Sequence, residues 1–258
     1  MKTETSSDGP YRRSRPARAH KTATVVAQEI IDEMGRNDFV PGVKLPVERE
    51  MLAKYGVGRG TLRESLRYLE MNGIITMKPG PGGGPAIGEP DSYDFAGTLG
   101  LFLQVNRTSF KAIVEVRKLL EPIIAGLAAE HATSETLDAI RQSVADMKRG
   151  LEDEEVFLQA NERFHDTVAL AAGNTVFELL IRSLHRITDG VPLGVAYPKS
   201  RRLAVLRAHQ RIFKAIEAED IDLARETMER HVVEFDRYLK KYYPTAYDKL
   251  LRWSDVSL

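Results

Sequence analysis

Cysteine is absent from this 258-residue chain, so disulfides and thiolate metal sites are excluded outright. No apolar run approaches the roughly 18 residues of a membrane span, and the N-terminus lacks a signal-peptide core. A cytoplasmic protein with no membrane part is the expectation. Net charge is missing too, because 37 basic residues balance 37 acidic ones. The balance is uneven along the chain. Residues 1–90 hold 14 Lys/Arg against 11 Asp/Glu, a net of +3, and the remainder holds 23 against 26, a net of −3. A basic front and an acidic rear fit nucleic-acid contact by the first part only, and the small size of the imbalance makes this a weak indication. The length allows two modest domains, each with its own core.

What is present begins with Pro41 to Gly84. Two short helical patterns flank a glycine-bearing turn, followed by a short apolar strand and a Gly/Pro hairpin. Leu45 and Pro46 lead into a first helix in which Met51 and Leu52 face inward. Gly56 stops it, and Gly58-Arg59-Gly60-Thr61 opens a second helix through Leu62, Leu66 and Leu69. This is the layout of a helix-turn-helix, whose second helix enters the major groove of double-stranded DNA and shows its N-terminal residues to base edges. Arg59, Thr61 and Arg63 occupy that end, with Arg67 one turn further on. Arginine suits bidentate contact with guanine, and threonine suits phosphate or a thymine methyl.

The stretch resembles the winged helix-turn-helix of the GntR family of bacterial transcription regulators. The resemblance rests on Pro41-Gly42, Leu45-Pro46, Glu48-Arg49, Leu52-Ala53, Val57, Arg59, Thr61-Leu62-Arg63-Glu64, Leu69-Glu70 and Gly73. It adds Arg49 to the expected DNA-contacting set. The family's usual serines before the turn arginine and before the Glu-Arg pair are replaced by Gly58 and Val47. Without a hydroxyl, Gly58 offers neither a side-chain cap nor a phosphate contact.

Around this reader, residues 1–20 are expected to form a flexible basic arm, and 21–84 the winged helix-turn-helix domain. Between Pro79 and Pro90, nine of twelve residues are glycine or proline, which rules out a helix. Its first part should form the wing tip, where Gly82 and Gly83 let the backbone approach phosphate closely. Residues 85–90 are then the expected linker. From residue 91 the pattern is helical, with segments near 92–104, 109–131, 134–150, 153–172, 174–189, 201–218 and 220–241. The fold class expected is therefore mainly α: an N-terminal winged helix-turn-helix plus an all-α antiparallel bundle of about seven helices over 91–241, with a tail over 242–258.

The bundle places polar residues where a plain core would have leucine. Phe157, Ala160, Phe164, Val168 and Ala171 form an inward stripe, with Asn161 and His165 on its edge. His209 falls in the stripe of Leu206, Phe213 and Ile216, and His231 in that of Ala224, Met228, Phe235 and Tyr238. Buried polar groups are costly unless satisfied, and one shared metal ion would satisfy several imidazoles at once. Arg117 and Glu121 lie among the inward positions Phe110, Ile113, Val114, Leu120, Ile124 and Leu127. They form either a structural i,i+4 pair or, through Arg117, an anchor for a carboxylate. His185, next to Leu184, falls at the edge of the same core or in a pocket wall.

Seven helices after such a reader resemble the FadR branch of the GntR family, whose effector domain is called FCD. That resemblance implies a divalent metal ion, zinc, nickel or manganese, on Asn161, His165, His209 and His231. It also implies a small carboxylate effector near Arg117, which with Glu121 matches the family's first-helix pattern; His185 is a candidate for the same pocket by its place on its helix. A homodimer on a palindromic operator follows from the two-fold symmetry usual among such readers. The expected function is a ligand-responsive transcription regulator, with repression the expected direction, and not an enzyme. The competing function is a helical-bundle metal-dependent hydrolase, using a His-bound metal to activate water. It leaves the segment from Glu48 to Arg67 unexplained and has no general base at a recognisable spacing.

Overall fold

The computed structural model describes residues 18–36, 38–80, 82–90, 92–188 and 191–255. The chain divides into two compact units, residues up to 91 and residues from 92 onward. The expected basic arm lies outside the described residues as far as residue 17. Its last residues are helical, because the first helix, α1, spans Arg18–Gly35.

The first unit is a winged helix-turn-helix. Helix α2 (Glu48–Tyr55) ends at Gly56, whose φ of 61° is left-handed and whose N–H returns to the Leu52 carbonyl. Glycine takes that conformation without a Cβ penalty, which makes the sharp turn into α3 (Arg59–Met71) possible. Leu62, Leu66 and Leu69 of α3 pack with Val26, Ile30 and Met34 of α1, and with Met51, Leu45, Ile75 and Ile87, into one apolar core. Strands β1 (Ile75–Lys78) and β2 (Gly84–Ile87) pair antiparallel, Ile75 opposite Ile87 and Lys78 opposite Gly84. Residues 85–87, expected in the linker, are thus the second strand of the wing. Composition misleads here, because the pairing comes from elsewhere in the chain. Ile87 N–H donates to the Val43 carbonyl and Leu45 N–H to the Pro85 carbonyl, so Pro85 needs only its acceptor.

The second unit is helical. Its long elements are α4 (Ser92–Val105), α5 (Phe110–His131), α6 (Ser134–Arg149), α7 (Glu154–Ala171), α8 (Thr175–Thr188), α9 (Lys199–Glu217) and α10 (Ile221–Tyr242). The starts are capped by side chains. Thr133 accepts from Thr136 N–H ahead of α6, Asp153 from Glu155 and Val156 N–H ahead of α7, and Asp220 from Leu223 N–H ahead of α10. Each such cap contributes about 1 kcal/mol by occupying an orphan donor of the first turn. Helix α10 packs along α5, α7 packs on α6, and the inward stripes meet in one continuous core.

The tail from residue 242 packs on this bundle. A short α11 (Pro244–Tyr247) buries Ala246 and Tyr247. Beyond it, Phe110 N–H donates to the Lys249 carbonyl and Leu251 N–H to the Thr108 carbonyl. The Tyr247 hydroxyl donates to Asp236 at 2.6 Å, and Lys118 and Lys240 complete that buried carboxylate's surroundings. Burial opposes the Asp236 charge, but these three hydrogen bonds outweigh it and hold the carboxyl below its usual range.

Candidate functional site

The reader surface begins at the N-terminus of α3. Gly58 caps it with extended backbone and no side-chain bond, as a glycine must. Arg59, Arg63 and Arg67 are exposed along one side of α3, Thr61 is half-buried, and Arg49 is exposed on α2. Arg63 lies 3.5 Å from Glu48, an exposed ion pair that binding to phosphate or guanine would exchange. Gly82 is exposed at the wing, with a φ of 76° that favours glycine. Gly83 is held more tightly: its N–H donates to the Gly80 carbonyl, and a Cβ there would collide with the Lys78 carbonyl oxygen. Lys44, absent from the sequence-derived set, reaches the wing and donates to the Gly82 carbonyl at 2.9 Å. Its only sequence signal was a cation beside Pro41-Gly42.

Inside the bundle, α7 brings His165, α9 His209 and α10 His231 to one place, with their ligand atoms all within 4.8 Å of one another. His209 Nε2 and His231 Nε2 are 3.1 Å apart. Two imidazoles on one metal at about 2.0–2.1 Å would stand roughly 2.9–3.4 Å apart for angles between octahedral and tetrahedral, so this spacing fits. Phe164 stacks on His209 at 3.8 Å between ring centres, and His209 Nδ1 lies 3.2 Å from the Met147 sulfur. A thioether can only accept, so this contact favours the tautomer with the proton on Nδ1 and the lone pair of Nε2 turned toward His231. Burial drives the His209 and His231 pKa values well below the ordinary imidazole range, and the neighbouring imidazoles add to this. Both rings are therefore neutral at physiological pH, the form that binds a metal.

A second cluster shares His165. Glu121 of α5 lies 2.8 Å from His165 Nδ1, 3.3 Å from His185 Nε2 and 2.5 Å from Arg117 Nε. Only the arginine contact is an aligned hydrogen bond, and Glu121 Oε2, His165 Nδ1 and His185 Nε2 are buried without a hydrogen-bond partner. Burial alone would raise the Glu121 pKa, but Arg117 foremost, then His165 and His185, hold it well below the carboxylate range. Burial, with help from Arg117 and His165, pushes the His185 imidazole down to about 3. Glu121 thus joins the potential donors, which sequence reasoning had seen only as the partner of Arg117. The contact joins residues on α5 and α7, far apart in sequence, and no local pattern announces it.

Arg117, Asn161, His165, His185 and His231 line one cavity of about 420 Å³. Asn161 is half-buried in its wall, one turn ahead of His165. His209 lies behind, fully buried. Neutral imidazoles, orphaned polar atoms and an oxygen-bearing wall make a donor set that suits a borderline divalent ion.

Comparison with known proteins agrees in both units. Residues 22–83 match the family of bacterial regulatory proteins named gntR, and residues 112–234 match the FCD domain. The chain is 31% identical over 209 residues to the galactonate operon transcriptional repressor of Escherichia coli K12, covering 79% of this chain and 90% of that protein. It is 30% identical over 184 residues to the HTH-type transcriptional repressor NanR of Shigella sonnei, covering 68% of each. In fold it is similar to the Streptococcus agalactiae GntR structure, with a TM-score of 0.64 at 24% identity, over 83% of this chain and 99% of that one. Nothing in these relatives supports the hydrolase alternative, since the family consists of regulators and is not known for enzymes. A helix-turn-helix followed by a helical bundle, matched in that order and across most of a relative's length, places this chain in the GntR family of bacterial transcription regulators, with an FCD domain as its second half.

Proposed function

We propose that the protein is a homodimeric repressor whose bundle holds one divalent metal ion and releases or strengthens operator binding in response to a small carboxylate. The observation that carries this reading is the convergence of three buried imidazoles, His165, His209 and His231, two of which line one cavity with Arg117. His165, His209 and His231, with the Asn161 oxygen, would hold the ion, whose remaining coordination positions take a ligand carboxylate. Zinc, nickel and manganese all suit such nitrogen and oxygen donors. Arg117 offers a planar fork that matches a carboxylate, and His185 adds a neutral imidazole nitrogen beside it.

On the DNA side, Arg59, Thr61, Arg63 and Arg67 of α3 read the major groove, while Arg49 and the wing at Gly82 and Gly83 meet the backbone. Repression is supported by the names of both relatives, and a hydroxy-acid ligand by the galactonate operon named in one of them. Dimerisation is supported by the two-fold operators that helix-turn-helix readers use. The ligand must bind the two functional states with different affinity, since only that difference can move the equilibrium.

The test is a fluorescence-anisotropy titration of a selected operator duplex at fixed salt, with four- to six-carbon acids added to the metal-loaded protein. At least one acid should change operator affinity tenfold or more, and Arg117→Ala should abolish the response while DNA binding persists. An operator affinity indifferent to every acid would overturn the carboxylate reading.

A further inference from the structure

Three guanidinium groups line the cavity, and their partners differ. Arg117 pairs through its Nε with Glu121 at 2.5 Å. Arg186 is neutralised by Glu162 at 2.8 Å and lies over the Tyr93 ring at 3.5 Å. Arg201, near the start of α9, has no carboxylate within ion-pair distance among the described residues. It stacks over Tyr238 at 4.5 Å, and its buried Nε has no hydrogen-bond partner. The next residue, Arg202, takes the nearby acceptors: Glu154 at 3.6 Å and the Leu151 and Tyr197 carbonyls, each at 2.9 Å.

An arginine does not shed its proton, so Arg201 remains a half-buried cation facing a cavity. Burial works against its charge, and only the Tyr197 and Tyr238 phenols and the more distant Glu234 counter this. A partly buried charge kept without a protein counter-ion carries a desolvation cost, and an anionic ligand would supply what is missing. The position is informative as well. Arg201, Val205 and His209 follow one another by single turns on the same face of α9, so Arg201 lies about 12 Å along the helix axis from His209. Arg201 and His231 line the same space.

We propose that Arg201 is a second anion anchor, and that the ligand is a small acid carrying two anionic groups. One group lies among His165, His231 and Arg117, and the other lies on the Arg201 guanidinium. A cavity of about 420 Å³ is ample for a diacid of four to six carbons. Gln159 in the same wall offers an amide to hydroxyls between the two ends. This inference rests on the carboxylate reading above and narrows its ligand class from acids in general to diacids.

The test is isothermal titration calorimetry on the full-length, metal-loaded protein, with succinate, glutarate, adipate and galactarate set against butyrate, valerate, hexanoate and galactonate. Parent, Arg201→Gln and Arg201→Lys proteins are compared, each with its thermal midpoint measured without ligand. The parent should bind at least one diacid tenfold or more tighter than its monoacid counterpart. Arg201→Gln should erase that preference and leave monoacid affinity unchanged, while Arg201→Lys, which keeps the charge, should restore part of it. Equal affinity for diacids and monoacids in the parent overturns the second anchor and leaves the carboxylate reading standing. The second anchor is equally overturned if Arg201→Gln weakens both classes alike with a lowered thermal midpoint, which would make the arginine a support for Tyr238. No binding of any acid to the metal-loaded parent overturns the carboxylate reading and this inference together.

Discussion

His209 is fully buried, yet it has one ring nitrogen on a thioether and the other on a second histidine. An apolar side chain would pack there at lower desolvation cost, so the chemistry of the nitrogen is what the position demands. Arg117 makes the complementary case. Replacing it with alanine leaves Glu121 buried among imidazoles without its one aligned hydrogen bond. Breaking a buried pair this way costs roughly 3–5 kcal/mol, so Arg117→Ala should lower the urea midpoint of the bundle measurably as well as its ligand response. An unchanged midpoint would mean that Glu121 is satisfied by something other than this arginine. The histidines at 209 and 231 were legible because each falls in an apolar stripe at helical spacing, and His165 because it lies on the edge of one. Arg201 was not, because an arginine among Lys199, Arg202 and Arg207 reads as a solvated face until the fold shows which one lacks an acid.

The helices were legible almost residue by residue, since their apolar periods are long and their ends carry Gly, Pro, Asp or Thr. The wing was not. Gly84, Pro85 and Gly88 argue for a linker, and only Ile87 is strand-like, so pairing with Val43 and Leu45 decides the outcome. Gly83→Ala should therefore damage the hairpin itself, through the Lys78 carbonyl, and reduce operator affinity while the bundle keeps its thermal midpoint. On α3, Arg59→Ala or Arg63→Ala should cost about 1–3 kcal/mol of specific binding if each arginine reads a base. Operator titrations at one salt concentration check this, and parental affinity in both variants would remove α3 as the reading helix. The tail has its own test. Tyr247→Phe removes a buried donor to a charged carboxylate, worth about 1.5–3 kcal/mol, and should loosen the strap formed by residues 244–251. Asp236 is held below its usual pKa in the folded state, so the stability it contributes is present above its unfolded value near 3.8 and is lost as pH falls through the folded value. Acid titration of stability should show that loss in the parent at lower pH than in Tyr247→Phe.

Two units of different character share this chain: a reader whose candidate arginines are exposed, and a bundle whose candidate histidines are buried. The arrangement suits a regulator, because DNA contact needs accessible cations and ligand discrimination needs a desolvated cavity. Reciprocity follows from thermodynamics: an acid that weakens operator binding must itself be bound more weakly by the DNA-bound protein, by the same factor. Ligand control of this kind depends most on the buried imidazoles being metal ligands. The most direct measurement is the metal content of the purified full-length protein by elemental mass spectrometry, without chelator, beside His209→Ala and His231→Ala. About one divalent ion per chain in the parent, lost in both folded variants, is the expected result. Equal metal in parent and variants, or a parent that stays metal-free when offered zinc, nickel and manganese, would contradict it.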